Sequence, residues 1–168
     1  MSDPVGLVVL GAGDRGRGTY GRWCLEHPDR ARVVAVADPD DERRAALAAE
    51  HGIPASATAV DWRDLLARPR LADAVVVATP DREHAAATIA ALGLGYDVLL
   101  EKPIAPTLDE VRAVAEAAAR SAGTVTVAHV LRYTPFFSAV KQAIEAGWIG
   151  ELVTMAHTEH IGYWHFAH

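Results

Sequence analysis

Cysteine is nearly missing from this chain. Cys24 is the only one in 168 residues, so no internal disulfide can form and a reducing compartment suits the sequence. On an expected helix it reads as a small buried hydrophobe. Long apolar runs are missing too. The first, Val5 to Leu10, is too short to span a bilayer or to form a signal core. The opening Met1-Ser2-Asp3-Pro4 carries no basic side chain. Basic residues are not in excess: 16 Lys and Arg stand against 22 Asp and Glu, a formal net charge of −6. No basic stripe for nucleic acid or anionic lipid is therefore expected. Together these absences point to a cytoplasmic chain with no nucleic-acid or membrane partner. What remains is ordinary globular composition, 51% hydrophobic and 23% charged. A chain of this length can bury roughly 70% of its unfolded surface, so its core needs no staple.

Strand-like and helix-like segments alternate. Continuous apolar runs at Val5–Leu10, Arg32–Ala37, Ala74–Ala78, Asp97–Leu100 and Thr124–Ala128 suit strands covered on both faces. A short strand is expected at Ser56-Ala57. Between the runs lie helical stretches at about Gly16–Glu26, Asp40–Glu50, Asp61–Leu66, Asp81–Leu92 and Thr107–Ser121. Thr107 and Glu110 form a capping-box pattern. This order predicts an α/β fold with a doubly wound parallel sheet. The rhythm changes near residue 129. A helix is expected over Pro135–Ala146 and a longer strand over Glu151–Glu159. The domain division that follows is 1–128 for the doubly wound domain and 129–168 for the start of a second, incomplete one.

Gly11-Ala12-Gly13-Asp14-Arg15-Gly16 fits G-x-G-x-x-G between a buried strand and a helix. Gly11 permits the tight turn, Gly13 lets the backbone approach a pyrophosphate, and Gly16 lets helix and strand pack closely. The helix start adds free N–H groups and a positive dipole end. Asp38, 22 residues after Gly16, stands at the end of the second strand. There a carboxylate can accept hydrogen bonds from ribose hydroxyls and repel a 2′-phosphate, which favours NAD over NADP. Arg43 and Arg44 lie close enough in sequence to reach a phosphate.

In open α/β sheets ligands sit beyond the carboxyl ends of the strands. Three more polar clusters fall there: Thr79-Pro80-Asp81-Arg82-Glu83-His84, Glu101-Lys102-Pro103, and His129-Val130-Leu131-Arg132-Tyr133. Lys102 follows a buried strand and precedes a proline that fixes the turn. His84 and His129 each fit either a site role or local packing.

With GAGDRG, VADPD at the end of strand two, ATPDREH, EKP, RYTPFF at 132–137 and EAGWIGEL at 145–152, the chain resembles the Gfo/Idh/MocA family. The resemblance implies a Rossmann nucleotide domain and an NAD(P)-dependent oxidoreductase acting on a sugar or polyol. It implies that Lys102 is catalytic, orienting substrate and nicotinamide ribose. It places Gly11, Gly13, Asp14, Arg15, Gly16, Asp38, Thr79, Pro80, His84, Glu101 and Lys102 around the cofactor. The bond before Pro103 is expected to be cis, an isomer that X–Pro tolerates.

Two features depart from that pattern. The family's acid/base pair is an Asp and a His four residues later, and no histidine here has an Asp at that distance. The last Asp is Asp109. The 168-residue chain is thus expected to bind cofactor with little turnover, or to be a non-catalytic dinucleotide-binding module. Second, His157, His160, His165 and His168 crowd the end. Imidazoles suit Zn, Cu or Ni, but His157 and His160 would face opposite sides of a strand. The resemblance favours a substrate-facing segment with Tyr163 and Trp164, and no metal is expected. A lone strand over Glu151–Glu159 would leave its edges unpaired, so the segment is expected to pair with a second copy, to pack back on its own nucleotide domain or to be poorly ordered; pairing, as a homodimer or higher homo-oligomer, is favoured.

Overall fold

The computed structural model describes residues 3–160 and Gly162. Six parallel strands form one sheet: β1 Val5–Leu10, β2 Ala31–Ala37, β3 Thr58–Ala59, β4 Ala74–Val77, β5 Asp97–Leu100 and β6 Val125–Val127. Their order is β3-β2-β1-β4-β5-β6. The chain winds outward from β1 to β3, then returns to start again on the other side at β4. The two halves therefore diverge between β1 and β4, which pair from Leu7–Ala74 to Leu10–Val77.

Helices cover both faces. The first, α1, begins as wide π-type turns over Asp14–Gly21 and becomes α-helical over Arg22–Glu26. Next come α2 Asp41–His51, α3 Trp62–Leu66, α4 His84–Gly93 and α5 Leu108–Arg120. Side chains alternate along a strand, so neighbouring valines serve opposite layers. Val8, Leu10, Val75 and Val77 pack on one face with Leu65, Leu92 and Leu100. Val9 and Val76 pack on the other with Cys24, Val36 and Leu47. That is why these strands read as unbroken apolar runs.

The caps follow the sequence. Asp40 accepts from the Glu42 and Arg43 N–H groups, and Asp61 from that of Arg63. Thr107 and Glu110 make the reciprocal capping box. Gly52 ends α2 at φ +64°, a conformation that favours glycine. The third strand lies two residues later than Ser56-Ala57, because Ala55–Ala57 tightens into a 3-10 turn first.

The described residues up to His129 form one compact unit, and those from Val130 onward another. In the second unit Pro135–Glu145 is helical (α6), with Pro135 in its first turn. The expected strand over Glu151–Glu159 is not formed; these residues have no regular secondary structure. Apolar alternation at Val153 and Met155 suits a strand, yet a strand persists only where a neighbour takes its N–H and C=O groups. It joins no ladder among the described residues.

Candidate functional site

The carboxyl ends of β1, β2 and β4 open on a cleft of about 430 Å³. Gly11, Gly13, Asp38, Arg43, Trp62 and Thr79 line it. Gly11 turns at φ +92°, where a Cβ would lie 2.3 Å from the Ala78 carbonyl oxygen. A Cβ on Gly16 would lie 1.8 Å from the Gly11 carbonyl oxygen. Both glycines are required by backbone passing close to backbone. Among the described residues, a Cβ on Gly13 would meet only the Arg43 guanidinium, at 3.9 Å, so this part of the loop faces open space. Gly13 also precedes α1 with no side-chain cap, which leaves first-turn N–H groups available to a ligand.

Asp38 is buried, and its carboxylate already works on the protein. Oδ2 accepts from the Ala12 N–H at 2.5 Å, and Oδ1 from the Asp40 N–H at 2.8 Å. The side chain thus fixes the glycine loop against β2, while a carboxylate retains further lone pairs for an incoming hydroxyl. Arg44 is committed elsewhere: it donates to the Asp38 carbonyl at 2.6 Å and to Asp41 at 2.5 Å. Arg43 lies at the cleft, 3.6 Å from Asp40.

The opposite wall comes from α3 and the loop before α4. The Arg63 guanidinium lies over the Trp62 ring at 4.3 Å. Both donate to Glu83 Oε2, at 3.0 and 3.1 Å. Thr79 contributes a buried hydroxyl with no hydrogen-bond partner among the described residues. Pro80 lines the same cleft.

The remaining expected residues gather around the end of β5. Glu101 is buried there. Its Oε1 accepts from the Tyr20 hydroxyl at 2.7 Å and pairs with Arg15 Nε at 3.2 Å; Oε2 accepts from the Lys102 N–H at 3.2 Å. Burial, and then the bond to this carboxylate, push the Tyr20 phenol well above its ordinary range. Lys102 is exposed just beyond β5, and its bond to Pro103 is cis. Asp14 is exposed at the start of α1, outside the cleft lining. His84 departs from the expectation of a cofactor contact. It is 1% exposed, with Nδ1 2.6 Å from the Pro103 carbonyl oxygen and Nε2 2.9 Å from that of Thr79. Both ring nitrogens are occupied by backbone.

Tyr20, Trp62 and Arg63 carry no motif that sequence reading would catch. His129 is exposed at the end of its unit. Of the terminal histidines, His165 and His168 lie outside the described residues, as do Tyr163 and Trp164; among the described residues no group of three metal-ligating side chains assembles. Nor does any described helix have the length and apolarity to cross a membrane.

Comparison with known proteins agrees with this geometry. A family model described as "Oxidoreductase family, NAD-binding Rossmann fold" matches residues 5–129. The chain is 41% identical over 119 residues to a 1,5-anhydro-D-fructose reductase from Ensifer adhaerens, covering 70% of this chain and 34% of that protein. It is 36% identical over 155 residues to an inositol 2-dehydrogenase from Ralstonia nicotianae, covering 92% and 45%. In structure it superposes on the WlbA dehydrogenase of Bordetella pertussis, solved with NADH and UDP-GlcNAcA. The TM-score is 0.78 at 28% identity, over 88% of this chain and 43% of that one. The chain therefore spans less than half the length of these relatives.

Proposed function

The chain belongs to the Gfo/Idh/MocA oxidoreductase family, and from that membership we propose that it holds NAD(H) for oxidation or reduction of a sugar or polyol carbon. The observation that carries this reading is the cleft itself, where the glycine loop, the Asp38 carboxylate and the unpartnered Thr79 hydroxyl converge. The first-turn N–H groups of α1 suit the pyrophosphate. Asp38 suits the adenosine ribose hydroxyls, and Trp62 with Arg63 forms a flat wall for the base. A bound nicotinamide supplies the hydride chemistry; the protein supplies binding, orientation and electrostatics. Lys102 acts at the reacting end, orienting substrate and nicotinamide ribose. The relatives named as an anhydrofructose reductase and an inositol dehydrogenase support a polyhydroxylated substrate.

NAD is preferred over NADP in this reading. A 2′-phosphate would meet the Asp38 carboxylate, and Arg44 is already spent on Asp38 and Asp41. With no Asp four residues before a His, the 168-residue chain binds cofactor but turns over little by itself. Positioned acid/base groups typically contribute ~10²–10⁴-fold. Calorimetric titration with NADH and NADPH tests the proposal. NADH should bind more tightly, and Asp38→Ser should narrow the gap by removing the like charge. Equal or reversed affinities in the parent chain would refute it.

A further inference from the structure

His84 sits where a purely packed residue would be apolar and a cofactor contact would be exposed. It is neither. It opens α4 beside Ala85, with Ala105 and Val114 in the small cluster between α4 and α5. Its two nitrogens end on carbonyl oxygens from different loops, Pro103 after β5 and Thr79 after β4. Carbonyl oxygens only accept, so a hydrogen bond to either one needs an N–H on the ring; the shorter contact, at Nδ1, is assigned the proton. Nδ1 is thereby a donor to the residue directly after Lys102.

Lys102 is held from its other flank as well. Its N–H donates to the Glu101 carboxylate, which is tied to Arg15 and Tyr20 at the start of α1. One side of the turn is thus referenced to the glycine loop. The other is referenced, through the His84 ring, to the Thr79 segment that lines the cleft. Without the ring, the side-chain bond from α4 to the Pro103 carbonyl disappears.

We propose that His84 is a positioning residue for Lys102: its Nδ1–H ties the Lys102–Pro103 turn to the base of α4 and so sets the amine relative to the cleft. The inference rests on Lys102 acting at the reacting end of the cofactor, as proposed above. The ring does not touch cofactor; it acts through the Pro103 carbonyl.

Asparagine and glutamine separate this role from simple burial. The Asn amide nitrogen can replace Nδ1, and the Gln amide nitrogen can replace Nε2. His84→Asn should keep the bond to Pro103, whereas His84→Gln directs its amide towards Thr79 and should lose that bond. Both are buried amides of similar desolvation cost, so a merely structural role predicts similar behaviour. In ¹⁵N–¹H spectra of the full chain without cofactor, the Lys102 amide should stay near its parent position in H84N and move in H84Q. NADH affinity should fall by about five- to tenfold in H84Q and by less than about threefold in H84N, the scale of one buried hydrogen bond. In the parent chain, the His84 Nδ1–H should be protected from solvent exchange, a measurement that needs no variant. Equal displacement of Lys102 in both variants, no displacement in either, or a freely exchanging Nδ1–H overturns the proposal. Failure of the parent chain to bind NADH would refute the cofactor reading, while the Lys102 and Nδ1 signals still decide the role of His84.

Discussion

Two glycines of α1 lie two residues apart and should respond to the same substitution with opposite sign. A Cβ on Gly16 would lie 1.8 Å from the Gly11 carbonyl oxygen and 3.1 Å from Val9 Cγ1. The first partner is backbone, so no rotamer change relieves it; the loop must retreat by more than an ångström or the start of α1 must tilt. Overpacking of this kind costs about 1–3 kcal/mol of stability. The binding effect should be larger, because the displaced groups are those that would face the pyrophosphate. A loss of about 10- to 100-fold in NADH affinity, ~1.4–2.8 kcal/mol, is expected for Gly16→Ala. Among the described residues, nothing lies within 4 Å of a Cβ added to Gly18. Gly18→Ala should leave NADH binding within about twofold and raise stability by roughly 0.5–1 kcal/mol, through lower entropy of the unfolded chain. Fluorescence titration with NADH, alongside thermal unfolding followed by circular dichroism, measures both quantities. If Gly16→Ala bound NADH as Gly18→Ala does, the close passage of α1 over Gly11 would not be what shapes the site.

Tyr20→Phe removes a hydrogen bond to the buried Glu101 carboxylate. It should lower stability by about 1.5–3 kcal/mol, read as a lower urea midpoint at unchanged slope. His51 gives a pH dependence. Burial holds its imidazole below the ordinary 6.5, against the opposing pull of the Glu50 carboxylate. The folded chain then binds fewer protons than the unfolded one near that pH. This contribution to stability is present above 6.5 and is lost as pH falls through the depressed folded value. Urea midpoints at pH 7.5 and about pH 5 should differ less in His51→Gln than in the parent chain; an unchanged difference would assign the effect to other groups.

Most of the sheet was legible because burial on both faces leaves continuous apolar runs, as at Val5–Leu10 and Ala31–Ala37. The glycine loop was legible because backbone passing close to backbone restricts residue type at Gly11 and Gly16. Roles set by long-range juxtaposition were not. Tyr20 and Glu101 are 81 residues apart and meet only because β1 and β5 both flank β4. Nothing near His84 indicates that both nitrogens face carbonyl oxygens, since those belong to two separate loops. Asp38 was assigned to a ribose, but its grip on the Ala12 N–H depends on the path of the glycine loop beside β2. Glu151–Glu159 failed in the other direction: local alternation marks a segment that can be a strand, and pairing decides whether it is one.

The sheet order has a consequence for how the chain folds. The cleft draws on β1, β2 and β4, whose carboxyl ends lie far apart in sequence, and parallel pairing between them requires crossovers through helices. During synthesis the glycine loop and Asp38 would emerge well before Thr79, yet β4 must dock against β1 before the far wall exists. A partly built sheet thus has little with which to grip a dinucleotide, and ligand affinity belongs to the completed fold. Binding of that kind is linked to global unfolding: at a free concentration 100 times Kd, a ligand that binds only the native state stabilises it by about 2.7 kcal/mol. The dinucleotide would then act as the last structural element of this unit, raising the barrier to proteolysis throughout the sheet and not only at the loops that it touches.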